Sequence, residues 1–364
     1  MVQGVTCIRS PGPEALEEIL VRPALDRGYR FEEGLVHEMV HAVQRANDRQ
    51  AGAAAGRILV EPVHAERQHV VIAVARFDAE LGAGGFGITY LAKHRYLEDI
   101  WVAIKEYLPD GAATRDSGSR VHVISDRYNK MYSWGLHRFL DEARLLRQFN
   151  HANIVSVQDF FEANNTAYLV MNYEPGKNLG RYIKKRKGGL SSNFLMTVFP
   201  PLLDALELIH SRQQLHLDIK PSNIHLRPGG KPLLLDFGAV YHLDDVGEKK
   251  AQVVTPGFSP VEQYYASGRV GPSTDVYAVG ATMRACIEGK PPPSAVERHA
   301  KDELLPAIEC FGEQYPREIL ESIDWAMQID AELRPRTAAE LRDALLGRAR
   351  VPRDIFDDDR QVAG

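Results

Sequence analysis

The hydrophobic pattern of this chain changes its period once, and that change limits the folds that the chain can adopt. From Phe77 the apolar residues follow a strand-like pattern with a glycine-rich turn inside it, most clearly over residues 81–90 and 101–107. Beyond Ser191 the apolar spacing is helical, and it predicts helices over residues 199–210, 274–287, 318–329 and 338–346. We therefore expect a small β-rich lobe followed by a larger helical lobe.

The composition excludes several broad classes of protein. Hydrophobic residues make up 44% and charged residues 26% of the 364 residues, which is typical of a folded chain. Lys and Arg total 44 against 49 Asp and Glu, so the net charge of −5 gives no reason to bind nucleic acid or an anionic membrane. Cys7, Cys286 and Cys310 lack the spacing of a disulfide framework or a zinc site, which favours a reducing cytoplasm. No apolar run reaches the ~18 residues of a membrane span, and the N-terminus does not have the pattern of a signal peptide.

Three segments are predicted along the chain. Residues 1–75 form a small separate α/β unit, with helices over 13–25 and 32–45 and strands over 58–63 and 69–77. Residues 76–347 form the main domain. Residues 348–364 are a polar, flexible tail that includes three consecutive aspartates.

A glycine pattern interrupts the first predicted strands. Gly82, Gly84 and Gly87 have the spacing G-x-G-x-x-G. Before a helix this spacing would indicate a dinucleotide fold, whereas between two strands it indicates a flap over nucleotide phosphates. Residues 88–91 read Ile-Thr-Tyr-Leu and favour a strand, so the flap is preferred.

A lysine ends the next predicted strand. Residues 102–105 read Val-Ala-Ile-Lys, and a lone lysine of this kind usually faces solvent. Together with the glycine loop, Lys105 could contact the α- and β-phosphates of ATP if a carboxylate holds it in place. Asp141 and Glu142 are both candidates, and we favour Glu142 because it shares a helical face with residues 145 and 146.

The most specific motif lies further along the chain. Residues 216–223 read His-Leu-Asp-Ile-Lys-Pro-Ser-Asn, and Asp236-Phe237-Gly238 begins thirteen residues after Asn223. Phosphoryl transfer needs an aspartate to orient the acceptor hydroxyl, and an asparagine and a second aspartate to hold Mg²⁺. This ordered set resembles the eukaryotic-type Ser/Thr protein kinase family over about residues 77–347, in a form more similar to its bacterial members.

The resemblance implies a fold, an activity and a role for each matching residue. The fold is α+β and bilobal, with an N-lobe over 76–171 and a C-lobe over 175–347, and the activity is transfer of the ATP γ-phosphate to Ser and Thr hydroxyls of proteins. The implied catalytic and metal-binding residues are Asp218 as base, Lys220 at the γ-phosphate, the pair of Lys105 with Glu142, and Asn223 with Asp236 as ligands of Mg²⁺ or alternatively Mn²⁺. The implied nucleotide-binding positions are Gly82, Gly84, Gly87, Thr89, Ala103, Lys105, Met171, Tyr173 and His225.

Further residues have implied structural roles, and some positions depart from the family pattern. Glu262 is expected to pair with Arg334, and Asp275 to brace the catalytic loop. Leu217 replaces the arginine that pairs with a phosphorylated activation loop, and no Ser or Thr lies between Gly238 and Thr255, so phosphorylation there is not expected as a switch. Thr89 replaces a valine that packs on adenine, and His225 a leucine at the adenine floor.

A second motif lies in the N-terminal segment. Residues 37–41 match H-E-x-x-H in a predicted helix, which would place His37 and His41 on one face as zinc ligands. Since no third ligand is evident, we interpret the segment as a regulatory or interaction unit and do not expect bound zinc. Three functions remain open: a kinase, a pseudokinase that binds nucleotide without turnover, and a kinase fused to a zinc hydrolase. The protein substrate, the activating signal and the oligomeric state are not indicated.

Overall fold

The computed structural model describes residues 76–93, 100–116, 120–237, 241–242, 254–265 and 267–352. The predicted N-terminal unit with its H-E-x-x-H motif and the aspartates of the tail lie outside the described residues. The chain divides into two compact units. Of the described residues, the first unit holds those up to Arg147 together with Val157–Tyr173, and the second holds Gln148–Ser156 and those from Glu174 onward.

The first unit is built on an antiparallel sheet of five strands in the order β1-β2-β3-β7-β6. Its strands are β1 (Arg76–Gly84), β2 (Gly87–Lys93), β3 (Trp101–Tyr107), β6 (Val157–Ala163) and β7 (Thr166–Asn172). Between β3 and helix α1 (Asn129–Leu146) lies a short hairpin of β4 (Ala113–Arg115) and β5 (Val121–Val123). We call residues 108–116 and 120–128, which contain this hairpin, the insertion.

The sheet has two chemically different faces because side chains alternate along each strand. Val102 and Ile104 are buried on one face with Ala92, Tyr168 and Val170. The other face carries the alternate residues of β3 and packs on helix α1, where the ring of Tyr107 lies near those of Tyr132 and Phe139.

The second unit is mainly helical, as the apolar spacing predicts. Its helices are α2 (Leu179–Arg186), α3 (Ser192–Ser211), α4 (Pro272–Glu288), α5 (Ala295–Ala300), α6 (Ala307–Phe311), α7 (Arg317–Ala326) and α8 (Ala338–Leu345). Its short strands are β8 (Lys177–Asn178), β9 (Gln214–Leu215), β10 (Ile224–Leu226), β11 (Pro232–Leu234) and β12 (Tyr241–His242).

Helix α3 begins earlier and α7 ends earlier than the sequence pattern predicts. The Ser191 hydroxyl accepts a hydrogen bond from the Phe194 amide at 3.3 Å, so this N-cap starts α3 at Ser192, ahead of the predicted start at residue 199. At the end of α7, the Met327 carbonyl accepts a hydrogen bond from the Arg298 guanidinium at 2.9 Å, outside the helical ladder. Helix α3 is long and apolar enough to cross a membrane, but Leu195 and Val198 are fully buried in this unit, which is typical of a core helix.

Residues 148–156 differ from the predicted boundary between lobes. The sequence assigns them to the first lobe, whereas the structure groups them with the second unit. The reason is backbone pairing to β11: the Val155 amide donates to the Leu234 carbonyl at 3.1 Å, and the Leu234 amide donates to the Asn153 carbonyl at 2.8 Å.

Candidate active site

One face of the first unit gathers four of the residues that the sequence nominates. In the strand register, Thr89 lies opposite Lys105, and Ala103 lies opposite Met171. Directly opposed residues in antiparallel strands share a face, and so do residues two apart along a strand. Thr89, Ala103, Lys105 and Met171 therefore belong to the same face, which is also the face that packs on α1.

The glycine pattern forms the tip of the β1–β2 hairpin. Gly84 pairs with Gly87, and the aromatic ring of Phe86 at the tip is exposed. The sequence therefore continues from strand into strand, as a flap requires. A Cβ on Gly84 would meet no atom within 4 Å, whereas one on Gly87 would overlap the backbone carbonyl of Glu106 on β3. Gly87 is thus needed for strand packing, while Gly84 leaves open space above the backbone.

We expect Gly87→Ala to destabilise the first unit and Gly84→Ala to have little effect on its stability. The added methyl at position 87 must push β2 away from β3, and overpacking of this kind costs about 1–3 kcal/mol. Chemical denaturation of both variants measures the difference, with Gly84→Ala as the matched control on the same hairpin. Equal midpoints for the two variants would contradict the packing role of Gly87.

Lys105 and Glu142 form an ion pair. Lys105 Nζ lies 3.2 Å from Glu142 Oε1, and the side chains are 17% and 4% exposed. Lys105 Nζ also lies 5.7 Å from the centre of the ring of Phe139, which is on α1 together with Glu142. Asp141, the other candidate, instead accepts a hydrogen bond from Arg144 at 2.8 Å on the exposed side of α1.

The second unit carries a compact polar cluster around Asp218. Its Oδ1 lies 2.8 Å from Lys220 Nζ and accepts a hydrogen bond from the Thr255 hydroxyl at 2.9 Å. Asn223 Nδ2 donates to Asp218 Oδ2 and to its backbone carbonyl, each at 2.9 Å. Lys220 Nζ also donates to Thr255 Oγ at 3.1 Å, so the three side chains of Asp218, Lys220 and Thr255 form a closed triangle. The arrangement holds one carboxylate in a single orientation.

The β10–β11 hairpin places Asn223 beside the Asp236 segment. Ile224 pairs with Leu234, and the Leu235 amide donates to the Asn223 carbonyl at 2.9 Å, directly before Asp236. Asp236 has a left-handed backbone with φ of 61°, a conformation that aspartate tolerates better than most residues. Side-chain oxygens of these two residues are the hard donors that Mg²⁺ prefers.

Asp275 at the start of α4 orients the backbone of the loop that carries Asp218. Its carboxylate accepts hydrogen bonds from the amides of His216 and Leu217, both at 2.8 Å, and contacts His210 Nε2 at 2.8 Å. Burial alone would raise the pKa of Asp275. The hydrogen bond and charge of His210, the charge of His216 and the hydrogen bond from the His216 amide outweigh burial, and the pKa of Asp275 is lowered. Asp275 is therefore ionised at neutral pH and fixes the loop.

Leu217 shows what replaces the arginine of the family pattern. It is buried, has a left-handed backbone with φ of 58°, and its carbonyl accepts a hydrogen bond from Gln263 Nε2 at 2.9 Å. The position is thus held by backbone hydrogen bonds and apolar burial, with no charge available for a phosphate group.

Two other predicted nucleotide positions lie near the junction of the units in sequence. The Tyr173 amide donates to the Trp101 carbonyl at 3.3 Å, so this N–H is already used within the first unit. His225 lies on β10 in the second unit, between Asn178 on β8 and Leu233 on β11. Burial lowers the pKa of His225 despite the nearby backbone carbonyls of Glu174 and Pro175, so its ring is neutral at pH 7.

The structure adds functional groups that the sequence reasoning did not assign. In the sequence, Thr255 only marks the end of a segment without Ser or Thr, yet its hydroxyl bridges Asp218 and Lys220. The sequence pattern predicts only that His210 lies in a helix, whereas the structure shows that it contacts Asp275. The sequence signal that could have pointed to Thr255 is the Thr-Pro-Gly at residues 255–257, which follows the segment after Gly238. No sequence signal pointed to the contact of His210.

The chain belongs to the protein kinase family: the family model of the protein kinase domain matches residues 76–344. It is 30% identical over 276 residues to the serine/threonine-protein kinase PknA of Nostoc sp., covering 73% of this chain and 45% of that protein. It is also 30% identical over 307 residues to PknK of Mycobacterium tuberculosis, covering 79% of this chain and 25% of that protein. The chain thus spans less than half the length of these curated relatives.

A solved structure shares the fold. The apo form of PpkA-294 is similar with a TM-score of 0.68 and 34% identity, covering 74% of this chain and 95% of that chain. The predicted α+β kinase fold and the resemblance to bacterial Ser/Thr kinases are therefore confirmed.

Proposed function

We propose that this protein is an ATP-dependent Ser/Thr protein kinase. The observation that carries the proposal is the cluster of Asp218, Lys220, Asn223 and Thr255, in which one carboxylate is oriented by three neighbouring side chains. Since phosphoryl transfer depends on positioning and charge stabilisation, a preorganised carboxylate beside a lysine is what the reaction requires.

Asp218 is the residue that would accept the proton of the substrate hydroxyl. Lys220 and Thr255 both engage its Oδ1, and Asn223 engages Oδ2, so the carboxylate does not have to reorganise when the hydroxyl binds. The positive charge of Lys220, beside Asp218, would stabilise negative charge on the transferred phosphate. The cluster therefore supports one residue as base and its neighbour as electrostatic partner.

Asn223 and Asp236 are the residues that would hold Mg²⁺. Asn223 directs its amide nitrogen to Asp218, so its side-chain oxygen, which also accepts a hydrogen bond from the Ser222 hydroxyl at 3.2 Å, is the group that would bind a cation. Asp236 follows Leu235, whose amide donates to the Asn223 carbonyl, and its carboxylate would be the second ligand. When bound, the metal neutralises charge on the phosphate oxygens and orients them. Mn²⁺ has the same preference for oxygen ligands and is the alternative ion.

The face of Thr89, Ala103, Lys105 and Met171 is where nucleotide recognition is proposed in the first unit. Lys105 would contact the α- and β-phosphates while Glu142 holds its ammonium group, and the open backbone around Gly82 and Gly84 would allow phosphate oxygens to approach. We assign His225 to the adenine site in the second unit.

The pseudokinase alternative is weaker for two reasons. Each residue with a chemical role in phosphoryl transfer is present, and Lys105, Glu142, Asp218 and Asn223 are engaged in the contacts described above. The neutral ring of His225 adds no charge to the site proposed for adenine. Neither feature favours a protein that binds nucleotide without turnover.

The test is phosphotransfer by the full chain. Purified protein is incubated with Mg²⁺, isotopically labelled ATP and a panel of Ser/Thr-containing proteins, and modified residues are mapped by mass spectrometry. Labelled Ser or Thr residues are expected with Mg²⁺. Fewer are expected with Mn²⁺, and none with EDTA. Nucleotide binding without any labelled residue would favour the pseudokinase instead.

A further inference from the structure

The insertion connects the two elements of the first unit that carry Lys105 and Glu142, and it also contacts the glycine hairpin. It begins directly after β3, which carries Lys105, and ends directly before α1, which carries Glu142. The Leu108 amide donates to the Phe86 carbonyl, and the Asp110 amide donates to the Gly85 carbonyl, both at 3.1 Å. The insertion therefore also holds the tip of the glycine hairpin.

A buried ion pair anchors the insertion to β3. Arg115 on β4 binds Glu106 through its guanidinium group, and the side chain of Glu106 is fully buried. Tyr90 donates its hydroxyl to the same carboxylate at 3.1 Å, and burial together with the charge of Glu106 raises the pKa of Tyr90 to about 12. Glu106 directly follows Lys105, and its side chain points to the opposite face of the sheet. The ion pair of Glu106 with Arg115 therefore holds β3 at the position next to Lys105.

A second anchor is the turn between β6 and β7. Asn164 and Asn165 adopt left-handed backbones with φ of 53° and 60°, the conformation of a tight two-residue hairpin turn. The Val121 amide of the insertion donates to the Asn164 carbonyl at 2.8 Å, and the Tyr132 hydroxyl of α1 donates to the Asn165 carbonyl at 2.7 Å. One rigid turn therefore holds both the insertion and the first turns of α1.

Helix α1 is also pressed against β3 near these anchors. The Tyr107 hydroxyl donates to the Tyr132 carbonyl at 3.3 Å, and a Cβ on Gly135 would overlap the Tyr107 hydroxyl. Glu142 lies ten residues beyond Tyr132 on the same helix. Since an α-helix is stiff over this length of about 15 Å, the position of its first turns determines where Glu142 points.

We infer that residues 108–116 and 120–128 act as an intramolecular brace that keeps Glu142 paired with Lys105, and that Arg115 is the positioning residue that anchors it. The inference rests on the proposed kinase function, and it specifies how the site is kept competent. The brace also explains why a buried leucine, Leu217, can replace the arginine of the family pattern. If α1 is held by contacts within the first unit, the site does not need an arginine that binds a phosphorylated loop.

The experiment uses the full chain and the variant Arg115→Met. Hydrogen exchange is measured over α1 without nucleotide, and kcat and KM for ATP are measured with a protein substrate. Removing Arg115 leaves the carboxylate of Glu106 buried without its cation, so we expect α1 amides to exchange faster and kcat/KM to fall by about tenfold or more. The double variant Glu106→Gln/Arg115→Met removes the stranded charge together with the anchor, so exchange in α1 should stay faster than in the wild type, whereas full recovery would show that the buried charge alone caused the loss and would overturn the brace.

The matched control is Arg120→Met, an exposed arginine in the same insertion. It should leave exchange and kinetics unchanged. If Arg115→Met fails to fold, Tyr132→Phe replaces it, because this change removes only the hydroxyl that reaches Asn165 and introduces no buried charge. Losing that hydrogen bond should speed exchange in α1 by about fivefold.

Unchanged exchange and kinetics in folded Arg115→Met, or unchanged exchange in Tyr132→Phe if that variant is needed, would overturn the brace. Failure of the proposed function is a separate result. A wild-type chain without phosphotransfer contradicts the kinase assignment, whereas exchange in α1 still reports whether Arg115 holds the helix.

Discussion

Asp218→Asn should abolish phosphotransfer, with kcat reduced by about 10²- to 10⁴-fold. The substitution keeps the shape of the side chain and an oxygen that Lys220 and Thr255 can still bind, but it removes the charge that would accept the hydroxyl proton. The amide group of the variant meets the donor of Asn223, so a stability loss of about 1 kcal/mol accompanies the change. Mass-spectrometric phosphorylation under saturating ATP measures the effect.

The control is Asp204→Asn, which makes the same chemical change on the exposed side of α3. Asp204 Oδ1 lies 2.5 Å from Arg342 Nη1, at the surface of the second unit. Activity of this variant should match that of the wild type, because an exposed pair contributes little to stability and this one is not in the proposed site. Equal activity of Asp218→Asn and wild type would contradict the assignment of Asp218 as base.

The sequence was sufficient to predict the features that depend on regular spacing. Strand alternation over 101–107 and helical spacing over 338–346 predicted elements that the structure places within one residue of those limits. The fixed order of Asp218, Asn223 and Asp236 nominated a phosphotransfer site, and the helical face of residues 145 and 146 nominated Glu142 over Asp141. In each case the signal lies within one element or one short motif, so local chemistry determines it.

Contacts between distant or irregular segments could not be predicted in the same way. Thr255 reaches Asp218 across 37 residues, and no periodic pattern relates the two positions. Arg115 and Glu106 are close in sequence, but the pairing depends on how a nonrepeating hairpin folds back over the sheet. The start of α3 was predicted too late: the helix begins at Ser192 after the Ser191 cap, and its buried apolar face already includes Leu195 and Val198.

The largest effect on stability is expected at the ion pair between Glu262 and Arg334 in the second unit. Arg334 binds both carboxylate oxygens of Glu262, with Nη1–Oε1 of 2.7 Å and Nη2–Oε2 of 3.1 Å, and the Thr274 hydroxyl donates to Oε1 at 2.9 Å. The Arg334 side chain is fully buried and also donates to the Gln328 and Ile329 carbonyls. Removing the guanidinium therefore leaves a buried charge and two backbone acceptors without their donors.

Arg334→Met should lower the free energy of unfolding by about 3–5 kcal/mol, because the remaining carboxylate has lost its cation in a buried position. Arg342→Met is the matched control: Arg342 binds Asp204 and Glu207, which are half exposed, and its loss should cost less than about 1 kcal/mol. Urea denaturation gives both values from the transition midpoints. The double variant Glu262→Gln/Arg334→Met should regain part of the difference, since the uncompensated charge is gone. If Arg334→Met were no less stable than Arg342→Met, the pair would not stabilise the fold as its burial indicates.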